Sequence, residues 1–562
     1  MKLAACIGFL GCFLISTNLE AKTVPSAAEP ERLEKRFERP RRPALAIEPH
    51  IPETDKPVSR KEMKKIRFVL KMIHVEGSTV YAHRLFYKWQ KKLLNKTISL
   101  AVVYKFAEKI TKKYRDDGYL LSRAVVIPQK IKDGEVTIQV VQGHIGNILV
   151  RGPVAGTRAL IQASGKKLLQ SSPLLSKDLE RYLLLIDDLP GVTAESVLVP
   201  LKNEPGASKL IISLKHEKFA AKESVDNRGS EFNGPVQFKA EAHANSVLGF
   251  YEKLGVRGIM TSQPDELLYF NGFGEFAVST EGTKLSVSTS ISKSEPGSSL
   301  KVYQVEGDSS TFSLGLSHPF IRSRRENLKG HLSFTSRNSE TDILGATLSK
   351  DHLRVINLGM SYDFLDRFRG VNLISMNITK GVDMFGATET GSANLSRADG
   401  HSDFTKLSGD LLRVQHFGEG WSLLSSLTWQ YAFDRLLSSE EIGLGGSQYV
   451  RAYDPSEVTG DQGYALKFEI QKGIKTNWDY LKSYQPYFYI DHGSVFSKNY
   501  KRNFIETTGE AAQELTALGV GVRGNISEWL SGYLEIGLPL SRDVGTEGDK
   551  APRAFFSLTA HY

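Results

Sequence analysis

Two hydrophobic rhythms divide the chain. Between residues 66 and 217, helical and strand patterns alternate. Residues 66–75 are rich in apolar and β-favouring side chains and end at Gly77, which predicts a strand. Helices are predicted over 81–94 and 100–117. In the second, Val103, Phe106, Ile110 and Tyr114 recur at three- and four-residue steps, and Gly118 is placed to close it. Strands follow over 122–128 and 135–142, the latter alternating through Val136, Ile138 and Val140. This β-α-α-β-β order then recurs. A strand over 145–151 and a helix over 157–170 lead to a helix opened by Ser176 as N-cap and ending near Asp188, then to strands over 192–200 and 210–216.

From about residue 218 the helical rhythm stops and apolar side chains fall at every second position. Trp421, Leu423, Leu427, Trp429, Tyr431 and Phe433 face one way, and Ser422, Ser426, Thr428 and Gln430 the other. Tyr464, Leu466, Phe468 and Ile470 alternate with Lys467 and Glu469, and Leu534, Ile536 and Leu538 with Tyr533 and Glu535. Long strands, apolar on one face and charged on the other, suit a membrane barrel with a wet interior; a soluble sandwich has shorter strands and turns its apolar faces inward. The chain ends with Phe556, Leu558, Ala560 and Tyr562 on one face, which resembles the closing strand that the outer-membrane assembly machinery reads.

Composition adds an address. Lys2 and an apolar run over 3–15, with a small residue at Ala21, read as a secretory signal over 1–21; Leu10-Gly11-Cys12 is a weaker lipoprotein alternative, since the apolar run continues past the cysteine. Both cysteines, Cys6 and Cys12, lie in that segment, so neither disulfides nor thiolate chemistry are expected in the remainder. No later run of about 18 apolar residues predicts a membrane helix. Residues 22–65 are Pro-rich and basic, with a short charged helix or a linker over 31–39. The net charge of +9 comes without a Lys/Arg block interleaved with aromatics, so no nucleic-acid partner is expected.

Candidate chemistry is sparse. Gly519-Val520-Gly521-Val522-Arg523-Gly524 has nucleotide-loop spacing, but Leu518, Val520 and Val522 alternate as a strand. Gly307-Asp308-Ser309 is read as a polar loop. The 13 histidines show no metal spacing, and no catalytic constellation is found, so neither a cofactor nor an enzyme is expected. Two motifs stand out instead. Val450-Arg451-Ala452-Tyr453-Asp454 follows the Gly-rich run Gly443-Leu444-Gly445-Gly446, and Tyr489-Ile490-Asp491-His492-Gly493 lies in an alternating strand. Phe488 and Ile490 share a face there, which turns Asp491 toward the interior. An arginine carried into a barrel loses water and needs a carboxylate waiting for it.

Together these features resemble the two-partner secretion transporters, the haemolysin secretion/activation proteins of the ShlB/FhaC/HecB type. The resemblance implies a membrane β-barrel of about 16 antiparallel strands over 218–562, preceded by two small α+β POTRA (polypeptide-transport-associated) domains over 66–143 and 144–217. The 345 barrel residues would supply about 22 per strand and connection, where a membrane strand needs ~9–11. The resemblance makes Tyr114, Gly118, Tyr119, Pro128, Gln129, Gly134 and Gly143 the signature of the first POTRA domain. It makes Val450, Arg451 and Tyr453 the tip of a lumen loop around 443–460, and Asp491 and Gly493 its partners on the barrel wall. Ala452 stands where the family has Gly; if that position needs a positive φ, the substitution costs about 1 kcal/mol. The basic segment corresponds to a plug helix and linker. The implied function is an outer-membrane translocator that receives an unfolded exported partner on periplasmic POTRA domains, partly by strand addition, and passes it through the barrel. Its other partners would be outer-membrane lipid and the barrel assembly machinery that inserts it. An insertase of outer-membrane barrels and a diffusion porin are the alternatives.

Overall fold

The computed structural model describes residues 24–29, 32, 63–153, 158–498, 500–502, 505–507 and 512–562. The expected export signal over 1–21 lies outside the described residues, as does the short helix over 31–39 apart from Arg32.

In the first module, strand Met72–Glu76 runs parallel to Glu135–Val141, which pairs antiparallel with Arg123–Val126. Helices His83–Gln90 and Leu100–Asp116 cover one face of this sheet. Phe86, Val103, Phe106, Ile110 and Tyr114 are buried against Ile73, Val75, Val136, Ile138 and Val140, so the three- and four-residue spacing does point at the core. The strand expected over 66–75 is split. Leu70 N–H bonds back to Lys96 O at 3.1 Å, while Lys71 N–H bonds forward to Gly134 O at 2.8 Å. The chain changes partners there. Arg67–Val69 pairs with Thr97–Ser99, a strand that the helical pattern hides, and only Met72–Glu76 joins the main sheet. The helix expected over 81–94 stops at Gln90, because Asn95 takes φ 59° and bonds Leu70 O to turn the chain into that extra strand.

The second module repeats the plan. His144–Arg151 lies parallel to Ala207–His216, which pairs antiparallel with Val192–Pro200; helices Arg158–Gln170 and Ser176–Asp187 pack against them. Ser176 is not the N-cap. Leu175 occupies that position without a side-chain cap, since its C=O already accepts the first helical bond from Leu179 N–H at 3.2 Å; the Ser176 N–H bonds Gly118 O of the first module at 2.8 Å.

Sixteen antiparallel strands close the barrel, from Phe219–Asp226 to Arg553–His561. Gln462–Lys472 and Ile474–Trp478 count as one strand broken at Gly473, since both pair with Leu481–Phe496. Side chains alternate as the period-two pattern requires. Outward positions such as Leu358, Met360, Ile374, Met376, Phe468, Ile470, Phe488 and Ile490 form an exposed apolar belt, and Tyr362 and Phe364 stack at 4.9 Å toward one rim. Inward positions are Ser, Thr, Asn and charged residues. Gly307, Asp308 and Ser309 are not a loop: they belong to strand Val305–Arg322, one of three strands of 18 to 20 residues on that side. The closing seam is short, with five paired positions from Ser557↔Asp226 to His561↔Lys222. No described helix is long and apolar enough to cross a membrane.

The second module docks on turns at one rim of the barrel. Arg322 grips Asp188 through two bonds of 2.7 Å, Lys284 Nζ donates to Asp188 O, and Tyr182 donates to Glu281 Oε1 at 2.9 Å. Burial, then the bond to Glu281, pushes the Tyr182 hydroxyl up to about 12, so it stays a donor across the physiological range.

Gly134 has φ +78°, and a Cβ there would stand 2.1 Å from Val69 O. Gly134→Ala is expected to destabilise the first module by about 1–3 kcal/mol. Purified protein should then be cut faster by thermolysin within 63–143 while the barrel stays intact. Unchanged protease resistance would contradict this account of the turn.

Candidate functional site

The long connection from residue 433 to 461 does not leave the barrel. Its arms Ile442–Leu444 and Val458–Gly460 pair as a two-stranded ribbon that runs down the lumen. Gly445 and Gly446, at φ 112° and 87°, start the turn at its tip, and Gly446 N–H bonds Tyr453 O at 3.0 Å. Tyr453 N–H bonds Val450 O at 3.1 Å and closes a tight turn over Val450–Tyr453. One side of the ribbon is apolar: Leu444, Val450, Ala452, Tyr453 and Val458 are buried against Ala465, Val495, Leu515 and Ala517 of the wall.

The other side carries a charge. Arg451 is 3% exposed. Its Nε and Nη2 donate to Asp491 Oδ2 and Oδ1 at 2.9 and 3.0 Å, and its backbone N–H reaches Asp491 Oδ2 at 3.2 Å. Arg451 Nη1 donates to Glu469 Oε2 at 2.5 Å and stands 3.9 Å from Glu535. The guanidinium lies 3.6 Å above the Tyr489 ring. Two more arginines complete the group. Arg523 holds Glu469 through bonds of 2.6 and 3.0 Å and stacks 3.8 Å from Tyr487. Arg228 donates to Glu535 Oε1 at 2.7 Å and to Arg451 O at 2.8 Å. Three guanidinium groups thus alternate with three carboxylates, with Lys467 opposite Asp491 on the neighbouring strand.

Glycines let the rings lie flat. A Cβ at Gly519 would stand 2.5 Å from the Tyr489 ring, so the spacing that resembles a nucleotide loop is a bed for aromatic side chains. A Cβ at Gly493 would meet Leu444 of the ribbon at 2.7 Å, which ties this motif residue to the close approach of loop and wall. Ala452 is not strained. Its φ is not in the left-handed region; that conformation falls on Val450, at 55°. Ala452 O accepts from Arg553 Nη1 at 3.0 Å, and Arg553 Nη2 also holds Asp454 at 2.8 Å. Tyr453 Oη accepts from the N–H groups of Ser541 and Arg542 at 3.2 Å.

A second set of charges holds the base of the ribbon and a piece of the N-terminal segment. Arg32 Nη2 donates to Glu441 Oε2 at 2.6 Å, Glu441 also pairs with Arg397, and Arg397 with Asp461. Ser26 Oγ lies 3.3 Å from Thr459 Oγ1, and Asn233 Nδ2 donates to Ala27 O at 2.8 Å. Residues 24–29 and Arg32 therefore sit inside the barrel beside the ribbon. The space left over is a polar cavity of about 550 Å³, lined among others by Lys239, Arg337, Lys406, Glu440 and Tyr449. Among the described residues no group of three His, Cys, Asp or Glu is placed to hold a metal ion.

The POTRA signature residues are scattered through the first module and serve it in different ways. Gly118 at φ +90° ends the second helix: Tyr119 N–H bonds Tyr114 O and Gly118 N–H bonds Arg115 O, the paired bonds of a Schellman cap. The buried Tyr114 hydroxyl bonds Ser78 Oγ at 2.8 Å and Gln142 Nε2 at 3.0 Å. Gln129 uses its side-chain amide to continue the sheet ladder onto Thr137, at 2.7 and 2.8 Å, beside the exposed Pro128. Gly143 packs on Leu121 and accepts from Leu174 N–H, so with Gly118 it joins the two modules. Sequence reasoning missed Glu469, Glu535, Arg228 and Arg523 as members of the cluster. Parity had turned Glu469 and Glu535 inward, but their meeting with Arg451 depends on cross-strand register, such as Glu469↔Tyr489 and Lys467↔Asp491.

Arg451→Ala leaves three buried carboxylates short of a cation and is expected to loosen the ribbon by about 3–5 kcal/mol. A single cysteine at Gln448 should then react with maleimide many-fold faster, while the barrel still assembles. Arg451→Lys should not restore protection, since lysine lacks the planar fork. Exchanging Arg451 and Asp491 should recover little, because the new aspartate would face Glu469 and Glu535. Slow labelling in all three variants would contradict the cluster as the anchor.

Comparison with known proteins agrees with this architecture. The family described as "Haemolysin secretion/activation protein ShlB/FhaC/HecB" matches residues 206–524, and a "POTRA domain, ShlB-type" matches residues 68–143. The heme/hemopexin transporter protein HuxB of Haemophilus influenzae is 24% identical over 479 residues, which are 81% of this chain and 80% of that one. The outer membrane transporter CdiB of Dickeya dadantii is 22% identical over 501 residues, 86% of this chain and 84% of its own. The solved structure of CdiB from Escherichia coli has the same fold, with a TM-score of 0.72 at 19% identity, and covers 91% of this chain and 93% of its own. The apolar belt therefore faces the outer membrane, and the two modules lie on its periplasmic side. This chain belongs to the ShlB/FhaC/HecB family of haemolysin secretion/activation proteins.

Proposed function

We propose that this protein exports one secreted partner protein, which docks unfolded on the two periplasmic modules and threads outward through the barrel. The observation that carries this reading is the content of the lumen. The lumen holds two separate pieces of chain: the ribbon, fixed to the wall by the Arg451–Asp491 pair and an apolar side, and residues 24–29 with Arg32, bonded to the ribbon connection through Ser26–Thr459 and Arg32–Glu441. Neither piece is part of the closed sheet, so each can move without breaking the strand ladder of the barrel. Each module also has sheet edges at which an extended chain can add: Met72–Glu76 and Arg123–Val126 in the first, His144–Arg151 and Val192–Pro200 in the second. The direction of transport comes from folding of the cargo outside, with no nucleotide spent.

In this reading Arg451 and Asp491 set the resting position of the ribbon, and residues 24–29 with Arg32 close the path beside it. Two measurements test it with a co-expressed partner. Deleting residues 66–217 should abolish secretion while the barrel still reaches the outer membrane; continued export would sink the translocator. Ser26→Cys with Thr459→Cys, whose hydroxyl oxygens are 3.3 Å apart in the natural protein, should form a disulfide. Secretion should stop in the oxidised form and return with reductant. Normal export through the oxidised form would mean that residues 24–29 and the ribbon need not part for transport.

A further inference from the structure

The positive charge of this protein is not spread along it. Residues 63–143 hold 17 Lys and Arg against 6 Asp and Glu, a net +11, while residues 218–562 hold 35 against 41, a net −6. The whole-chain value of +9 conceals a strongly cationic first module joined to an anionic barrel.

Six of these 17 cations form two stripes on the module's helices. Helix His83–Gln90 and the turn after it present Arg84, Lys88 and Lys91 at steps of four and three, all exposed. Helix Leu100–Asp116 presents Lys105, Lys109 and Lys112 at the same steps, also exposed. The two stripes are neighbours. Trp89 and Phe106 meet edge to face at 6.5 Å between the helices, and Lys109 Nζ lies 4.3 Å over the Trp89 ring. Tyr87, 49% exposed, adds an aromatic surface. The acids on the two helices are Glu108 and, in the last turn, Asp116. Just past that helix end, Asp117 pairs with Lys113, and Glu135 stands on the sheet beside His74.

Burial of the apolar helix faces does not require this. Phe86, Val103, Phe106 and Ile110 point into the core whatever charge the opposite faces carry, and like charges at these steps repel one another by a few tenths of a kcal/mol per pair. Six cations on one two-helix face therefore oppose module stability slightly and produce a long-range positive field. The field is not used against the barrel: it is the second module whose Asp188, Arg181 and Tyr182 contact the barrel turns.

We propose that this two-helix face docks an acidic segment of the exported polypeptide. The proposal rests on the translocator reading and names the chemistry by which the cargo is first recognised. Charge complementarity identifies the occupant. A flat, exposed stripe of lysines suits an extended anionic chain without fixed register, captures it rapidly by steering, and releases it readily to the sheet edges and the lumen. Strand addition reads the backbone, which all proteins share; the lysine face supplies the sign of charge that tells one exported chain from another.

The test uses the full-length protein in neutral detergent and a fluorescein-labelled poly-L-glutamate of about 20 residues, with salt raised from roughly 50 to 300 mM to shorten the Debye length. The peptide is expected to bind, and to weaken at least about tenfold both at the higher salt and in Lys88→Gln/Lys105→Gln/Lys109→Gln/Lys112→Gln. A control with four neutralised lysines on the second module, Lys166→Gln/Lys202→Gln/Lys209→Gln/Lys215→Gln, should bind as the natural protein does. Secretion of the co-expressed partner should slow several-fold in the first variant and not in the control. Absence of binding, or an equal loss in both variants, overturns the proposal. So does displacement of the peptide by vesicles of phosphatidylethanolamine with phosphatidylglycerol, which would make the face a lipid surface. Unchanged secretion in a variant that has lost peptide binding overturns the cargo as occupant but leaves the translocator reading standing, since that reading falls only if deletion of both modules leaves export intact.

Discussion

A guanidinium buried in a barrel lumen has to be neutralised where it sits, and the interior of this protein is arranged around that requirement. Arg451 meets Asp491 through three bonds and Glu469 through a fourth, with the Tyr489 ring beneath it. Glu469 is shared with Arg523, and Glu535, 3.9 Å from Arg451, is held by Arg228. Removing Arg451 leaves Asp491 buried without its guanidinium partner and takes a shared cation from Glu469, which is why the group hangs on that one side chain. Arginine suits this place because its planar fork bonds two carboxylates while its face stacks on an aromatic ring.

The same constraint explains why the ribbon has two unlike sides. Its apolar side, with Leu444, Val450 and Tyr453, packs on the wall as any core does, and its charged tip selects one depth and one orientation. Hydrophobic contact alone tolerates sliding; a bidentate ion pair does not. The wall is built to accept both. Glycines at positions 493 and 519 remove side chains where Leu444 and Tyr489 come close, so the loop and the ring occupy space that the strand itself leaves free. The N-terminal piece is held through a second set of charges, around Glu441 and Asp461 at the base of the ribbon, so residues 24–29 and Arg32 are fastened to the ribbon connection.

Outside the lumen, labour is divided by charge and by fold. The second module is bound to the barrel rim through Asp188 and Glu281, which gives the assembly a fixed base. The first module is tied to the second by main-chain bonds at Gly118 and Gly143 and keeps its two helices exposed. A cationic module before an anionic barrel places capture and conduction in different electrostatic surroundings.

Periodicity alone determined much of this. The two repeated modules, the change to period two near residue 218, the outward apolar belt and the inward turn of Asp491 are all local, because side-chain direction follows from the geometry of a single helix or strand. What the tertiary structure decided are the features that depend on a partner distant in sequence. The strand expected over 66–75 splits because its two halves find different neighbours, Lys96 and Gly134. The helix expected to start after Ser176 starts one residue earlier, with Leu175 as its cap, and the freed Ser176 N–H bonds Gly118 of the other module. Ala452 carries no strain because the tight turn places its positive φ on Val450 instead. Glu469, Glu535, Arg228 and Arg523 join Arg451 only through strand register and barrel closure, which the motif around Asp491 does not encode. Sequence places a side chain on a face; only the closed sheet decides which faces meet.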